Sequence, residues 1–213
     1  VNPASAGARR SAGAVRVPVD ADFAADLLGA GLAVWPGFLD PAALGELADC
    51  ARQRHERGEF RAARVGSGAT LRRDQVVRGD SICWLAQPYF PAETRVLAAL
   101  ERLRLELNRQ GMLGLFDAEF QYALYPPGAA YARHVDQPLG RGQRRVSLVL
   151  YLNPGWPADA GGALRIHAAD GSHRDVPPDG GLLVAFATPG REHEVLPARQ
   201  TRWSLSGWLR TRA

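Results

Sequence analysis

The chain has 213 residues, a formal net charge of +4 and 23% charged residues, which suits one domain with a sizeable core. All 26 basic residues are arginine, so a Schiff-base lysine and a Walker-type phosphate lysine are excluded. Arg9, Arg10 and Arg16 precede the first acidic residue, Asp20, so that segment carries +3 and the remainder +1 (4 − 3), a balance that gives no case for nucleic-acid binding.

Residues 1–18 are rich in Ala, Gly, Ser and Arg and lack an apolar h-region, so they read as a flexible leader to a single domain over 19–213. Asp22 to Gly31 reads as a short helix stopped by Gly31, and Leu32 to Trp35 as a buried strand broken by Pro36-Gly37. Asp40-Pro41 is an N-cap followed by a first-turn proline, and Leu44, Leu47 and Ala51 form the apolar stripe of a helix ending near Gly58. Residues 61–80 contain Gly66, Ser67, Gly68 and several arginines, the pattern of a long mobile loop or loose hairpin. Asp80 to Trp84 is another strand. Pro91 starts the longest helix, with Val96, Leu100, Leu103 and Leu107 at helical spacing and Gly111 as its end.

From Phe116 the pattern turns to β. Strands are predicted at 119–125, 131–136, 145–152, 163–167, 173–176, 181–187, 191–195 and 201–210, separated by Pro- and Gly-rich turns. Eight short strands after a helical half predict an α+β fold: a double-stranded β-helix, a jelly roll of cupin type, braced by the N-terminal helices. No stretch is long and apolar enough to span a membrane. Cys50 and Cys83 are the only cysteines and read as reduced core thiols of a cytoplasmic protein. The Arg-only, Ala- and Gly-rich composition suggests a GC-rich bacterial source.

Five histidines are present. His134 and Asp136, two apart on a predicted strand, point to one face. His193 arrives from a distant strand that neighbours the first in a jelly roll. Two imidazoles and one carboxylate form the facial triad of non-haem iron(II) oxygenases, which leaves coordination positions open. Arg202 is expected near the metal end of the sheet because 193–196 and 201–204 can pair across Pro197-Ala198. Its planar guanidinium would there anchor a carboxylate. His55 lies in the solvated run Arg52 to Arg57. His167 and His173 flank the Asp170-Gly171 turn, lack a carboxylate at strand spacing and read as surface residues. Trp35, Trp156 and Trp203 read as packing residues.

The chain resembles the prolyl hydroxylase domain oxygenases, the oxygen-sensing branch acting on hypoxia-inducible factor together with its bacterial relatives. The motifs are Tyr125-Pro126, Tyr131-Ala-Arg-His-Val-Asp136-Gln-Pro138, Tyr151-Leu-Asn153, Gly161-Gly-Ala-Leu-Arg165, His193-Glu-Val-Leu-Pro197 and Thr201-Arg202, with Arg78-Gly-Asp80-Ser-Ile82-Cys-Trp84 upstream. The likeness covers about residues 22–210. It implies Fe(II) on His134, Asp136 and His193, with 2-oxoglutarate and dioxygen as co-substrates and ascorbate as reductant. It further implies that Arg202 and Tyr151 bind the distal carboxylate of 2-oxoglutarate, that Tyr125 lies near its chelating end, and that Leu164 and Ser206 flank it. Asp80, Ile82, Trp84, Tyr131, Trp208 and Arg144 or Arg145 would line the substrate groove. Gln121 replaces an apolar residue of the animal enzymes.

The implied reaction converts 2-oxoglutarate to succinate and carbon dioxide and hydroxylates C4 of a proline. A monomer acting on a prolyl residue of a protein, with elongation factor Tu as the leading candidate, is expected. Hydroxylation of free proline and a non-catalytic metal- or ligand-binding jelly roll are the other readings. A nucleic-acid demethylase would need a basic, base-flipping groove. The 61–80 loop is expected to close over a bound peptide.

Overall fold

The computed structural model describes residues 15, 21–64, 74, 77–136 and 142–212. Three helices lie in the N-terminal half: α1 (Ala21–Gly29), α2 (Pro41–Glu56) and α3 (Pro91–Gly111). Asp40 caps α2 by accepting from Ala43 N at 2.7 Å. Gly111 is the last helical residue, and the left-handed cap is Met112, with φ of 47°. A Cβ on Gly111 would lie 2.4 Å from Leu28 Cδ2 of α1, so a larger residue there would displace the end of that side chain.

Eleven strands complete the described fold. They are β1 (Leu32–Trp35), β2 (Arg61–Ala62), β3 (Ser81–Trp84), β4 (Asp117–Tyr125), β5 (Tyr131–His134), β6 (Arg144–Tyr151), β7 (Leu164–His167), β8 (His173–Val176), β9 (Leu183–Ala187), β10 (His193–Val195) and β11 (Arg202–Arg210). The larger sheet has the order β1-β9-β6-β11-β4-β3-β2 and the smaller β5-β10-β7-β8. The eight strands read from the second half of the sequence thus divide four and four into a double-stranded β-helix. β1, β2 and β3 extend the edges of the larger sheet.

Strand alternation separates two cores. Val146, Leu148 and Leu150 of β6, Leu183 and Ala185 of β9 and Leu205 and Leu209 of β11 face the helices. There they meet Leu47 and Ala51 of α2 and Val96, Leu100, Leu103 and Leu107 of α3. Tyr151, Val184, Phe186, Ala123 and Tyr125 face the smaller sheet and pack with Leu164, Ile166, Val176 and Val195. Each fully buried Leu or Val contributes about 1.5–3 kcal/mol, so both faces of the central strands are fixed in register. Between α2 and α3 the Arg54 guanidinium donates to both Glu93 oxygens at 2.7 and 2.8 Å, and the Tyr122 hydroxyl donates to Glu93 at 3.1 Å.

The structure differs from the sequence reading in several places. β5 stops at His134, so Asp136 stands in a bend beyond the strand. β10 and β11 do not pair with each other: β10 runs between β5 and β7, and β11 between β4 and β6. Their connection crosses from one sheet to the other, held by the Gly161–Ala198 bridge and by Leu196 N donating to Ala163 O. His167, read as lacking a carboxylate, has Glu194 of the adjacent strand at 3.1 Å from its Nε2. Of the 61–80 segment, Arg61 and Ala62 pair with Ile82 and Ser81 as one end of a hairpin. Gly66 to Thr70, on which the idea of a closing loop rests, lie outside the described residues. So does the expected leader, except for Val15, which bridges to Leu39. Among the described residues no helix is long and apolar enough to cross a membrane.

Candidate active site

His134 at the end of β5 and His193 at the start of β10 are register partners. Antiparallel pairing therefore sets the two imidazoles side by side, with ring centroids 4.2 Å apart. Asp136 turns back toward both: its Oδ1 is 3.4 Å from His134 Nε2 and its Oδ2 is 3.5 Å from His193 Nε2. The ligand atoms of the three residues all lie within 4.8 Å of one another, the only such His, Cys, Asp and Glu cluster among the described residues.

Second contacts fix the rings. His134 Nδ1 is 2.7 Å from Ala132 O and His193 Nδ1 is 3.2 Å from Arg191 O. Each Nδ1–H donates to a carbonyl, which leaves Nε2 with its lone pair toward Asp136. Tyr131 stacks on His134 with centroids 3.5 Å apart and planes 14° from parallel. Burial alone would push the Asp136 carboxyl up, but His193 and then His134 hold it well below the usual carboxylate range. His134 is pushed down by burial, while for His193 the attraction of Asp136 outweighs burial and raises it.

These residues form one end of a cavity between the sheets. The rest of its wall includes Arg202, Tyr125, Leu164, Ser204, Ser206 and Gln121. Arg202 is buried, and its Nε donates to Gly162 O at 2.9 Å. That carbonyl is presented from a backbone with φ of +75°, and a Cβ on Gly162 would sit 2.9 Å from Ala198 Cβ, so only glycine fits. The guanidinium carbon lies 5.1 Å from the Tyr125 ring centre and 5.0 Å from that of Tyr151. Burial pushes the Tyr151 hydroxyl up to about 12 against the opposing pull of Arg202, and raises Tyr125 well above the ordinary phenol value.

The residues assigned to a substrate groove are placed unequally. Tyr131 and Trp208 line the cavity. Trp84, 45% exposed, stands at 6.0 Å from Trp208. Arg144 lies 3.6 Å over the Trp208 ring, donates to Glu119 at 2.9 Å and reaches the Asp136 carbonyl at 3.0 Å. Arg145 is exposed and is not brought to the cavity. It is the extra residue of a β-bulge, since Leu209 pairs with Val146 and Arg210 with Arg144. Ile82 packs against the interior core, away from the cavity wall. Asp80 is buried behind Arg78, taking its Nε and Nη2 at 2.8 and 3.1 Å, and Arg78 is the residue on the wall.

Sequence reading quoted Arg78 only as part of a motif and gave no role to it, Ser147, Thr188 or Ser204. Ser204 stands two residues from Arg202 on β11, so strand alternation signals it; Arg78 lies before β3, held by its own bridge to Tyr131. Ser147 Oγ lies 2.8 Å from Asp136 Oδ2 and 2.9 Å from Thr188 Oγ1. Counting back by twos from Tyr151 reaches Ser147; nothing in the local sequence marks Thr188.

A sequence model of the 2OG-Fe(II) oxygenase superfamily matches residues 120–210, the span holding the triad and Arg202. Mouse prolyl hydroxylase EGLN3 is 33% identical over 178 residues, 78% of this chain and 74% of that protein. The chain belongs to the prolyl hydroxylase family of 2OG-Fe(II) oxygenases. Human Egl nine homolog 1 is 32% identical over 187 residues, covering 84% of this chain but 43% of that protein, so the chain spans about half the length of the first curated relatives it matches. Among solved structures, a Pseudomonas putida prolyl-4-hydroxylase is 40% identical with a TM-score of 0.82, covering 90% of this chain and 98% of that one. A Trichoplax adhaerens prolyl hydroxylase, solved with a hypoxia inducible factor oxygen degradation domain peptide fragment, is 25% identical with a TM-score of 0.80, covering 88% and 87%.

The family implies Fe(II), 2-oxoglutarate and dioxygen, and the cavity fits them. His134, Asp136 and His193 supply the donor set for Fe(II). At Arg202, Nη2 is buried without a hydrogen-bond partner, and so is the Tyr151 hydroxyl. Two orphaned donors buried together are costly unless an acceptor arrives. The distal carboxylate of 2-oxoglutarate is such an acceptor.

Proposed function

We propose that this protein is an Fe(II)- and 2-oxoglutarate-dependent prolyl 4-hydroxylase acting on a peptidyl proline of a protein substrate. The observation that carries this reading is the pairing, in one cavity, of the His134–Asp136–His193 cluster with Arg202, whose Nη2 is unsatisfied, as is the hydroxyl of Tyr151, the ring centred 5.0 Å from the guanidinium carbon. Bound iron and 2-oxoglutarate supply oxidative decarboxylation coupled to hydroxylation of an unactivated C–H bond. The protein positions both and holds the target carbon. Arg202 and Tyr151 fix the distal carboxylate, with Tyr125, Leu164 and Ser206 beside it. The histidines offer Nε2 in fixed tautomers. Tyr131, Trp208, Arg144 and the exposed Trp84 form an aromatic and cationic mouth suited to an extended peptide.

Elongation factor Tu is the leading protein substrate in this reading, supported by the likeness to bacterial prolyl hydroxylases. An open mouth with Trp84 at its rim supports a peptide over free proline, and the complete donor set supports turnover over a non-catalytic sensor. Ascorbate as the reductant and monomeric action rest on the family likeness. The free, buried Cys50 and Cys83 fit a reducing, cytoplasmic compartment. The test is competition: intact elongation factor Tu, its prolyl peptides and free L-proline are offered together and the products are separated by mass. Oxygen added to one elongation factor Tu proline supports the full reading. Oxygen on free proline alone replaces it with the small-molecule one.

A further inference from the structure

Asp136 is the least supported of the three ligands by secondary structure, because β5 ends at His134 and the carboxylate stands in the bend beyond it. What holds it comes from β6. Arg144 Nη1 donates to its backbone carbonyl at 3.0 Å, and Ser147 Oγ donates to its Oδ2 at 2.8 Å. Residues three apart on a regular strand face opposite ways. Here the bulge at Arg145 brings Arg144 and Ser147 to one face, opposite Arg210 and Trp208, which are two apart on β11.

The hydroxyl chain has a direction. A ligating carboxylate is ionised and only accepts, so the single Ser147 proton goes to Asp136. Ser147 Oγ must then accept from Thr188 Oγ1, 2.9 Å away. Ser147 and Thr188 are both buried, with no solvent to substitute for either bond. Thr188 is in turn anchored by its backbone N donating to Arg145 O, at the bulge itself, at 2.9 Å.

We propose that Thr188 and Ser147 form a one-directional hydroxyl relay that orients Asp136 as a metal ligand, committing Oδ2 to the protein and leaving Oδ1 for the ion. Both are positioning residues, and the inference rests on the reading of His134, Asp136 and His193 as the metal site. Outer partners of this kind typically change metal affinity 10- to 100-fold.

The test is titration of the chelator-treated full-length protein with Mn(II), following free Mn(II) by electron paramagnetic resonance, with the thermal midpoint of the metal-free protein recorded beside it. Ser147→Ala is expected to weaken Mn(II) binding by roughly 10- to 100-fold. Ser147→Thr, which keeps the hydroxyl, restores affinity to within a few-fold, and Thr188→Val gives a smaller loss in the same direction. The affinity of metal-saturated Ser147→Ala for 2-oxoglutarate should stay at the parental value. Parental Mn(II) affinity in Ser147→Ala overturns the relay. If Ser147→Ala does not fold, parental affinity in Thr188→Val overturns it. Absence of Mn(II) binding in the parent protein overturns instead the metal-site reading beneath it.

Discussion

The guanidinium of Arg202 lies 5.0 Å from the centre of the Tyr151 ring, and Nη2 of the one and the hydroxyl of the other are buried without a hydrogen-bond partner. An unpaired buried polar group destabilises the metal- and ligand-free protein, and a hydrogen bond to a charged acceptor contributes about 1.5–3 kcal/mol. Tyr151→Phe should therefore act in two directions. The Kd of 2-oxoglutarate, measured anaerobically with metal present, rises by roughly 10- to 100-fold, while the thermal midpoint of the ligand-free protein stays level or rises. A falling midpoint with unchanged Kd would show that the hydroxyl is structural.

Arg202→Lys keeps the charge and loses the planar fork. It also loses the Nε donor that binds Gly162 O at 2.9 Å. The expected result is a weaker 2-oxoglutarate Kd by at least about tenfold, with Mn(II) affinity within twofold of the parent. Loss of Mn(II) binding as well would mean that Arg202 supports the triad and not the co-substrate.

Metal binding should depend on pH through His193. Its Nε2 must be unprotonated to ligate, and Asp136 raises its pKa above 6.5, outweighing burial. His134 is pushed the other way, below 6.5, by burial. A proton thus competes with the metal below the raised His193 value. Mn(II) affinity should climb by about tenfold per pH unit from the acid side and level off on the alkaline side of 6.5, with one proton released per ion bound in the sloping region. Titrations in buffers of different ionisation enthalpy read that proton directly, and affinity independent of pH between 6 and 7 would contradict the assignment.

Much of this was legible in the sequence because it follows from period-2 alternation. All eight strands of the β-helix, from β4 to β11, fall on the segments marked by alternating apolar residues between Pro and Gly turns, and the triad could be named from His-x-Asp and a late His. What was not legible depends on pairing between distant strands. The placement of β10 and β11 in opposite sheets is set by the crossover at Gly161–Ala198, and Arg202 faces the metal cluster across the cavity instead of lying beside it on one sheet. Arg144 and Arg145 are neighbours of identical type, and only the bulge in the β6–β11 ladder decides which reaches the site. Thr188 carries no motif at all; it matters because Ser147 is 2.9 Å away.

The helical brace makes a prediction independent of the site. Glu93 is fully buried and accepts both Arg54 hydrogen bonds together with the Tyr122 hydroxyl. Glu93→Gln strands a buried guanidinium whose remaining carboxylate, Glu59 at 2.7 Å, is half-buried. A loss of about 3 kcal/mol or more is expected in urea unfolding, with Mn(II) affinity of the folded fraction unchanged. A loss below about 1 kcal/mol, the range of an exposed pair, would contradict the role given to this bridge.

The central claim is that one cavity couples 2-oxoglutarate oxidation to hydroxylation of a prolyl residue. It is tested most directly by supplying ¹⁸O₂ to the Fe(II)- and 2-oxoglutarate-loaded protein with a panel of prolyl peptides and intact elongation factor Tu, and weighing the succinate and the prolyl products. One heavy oxygen in succinate and one on the proline ring, both abolished by Asp136→Ala, is the predicted result. Heavy oxygen in succinate with none on any prolyl residue across a full panel of prolyl peptides and intact elongation factor Tu would contradict it.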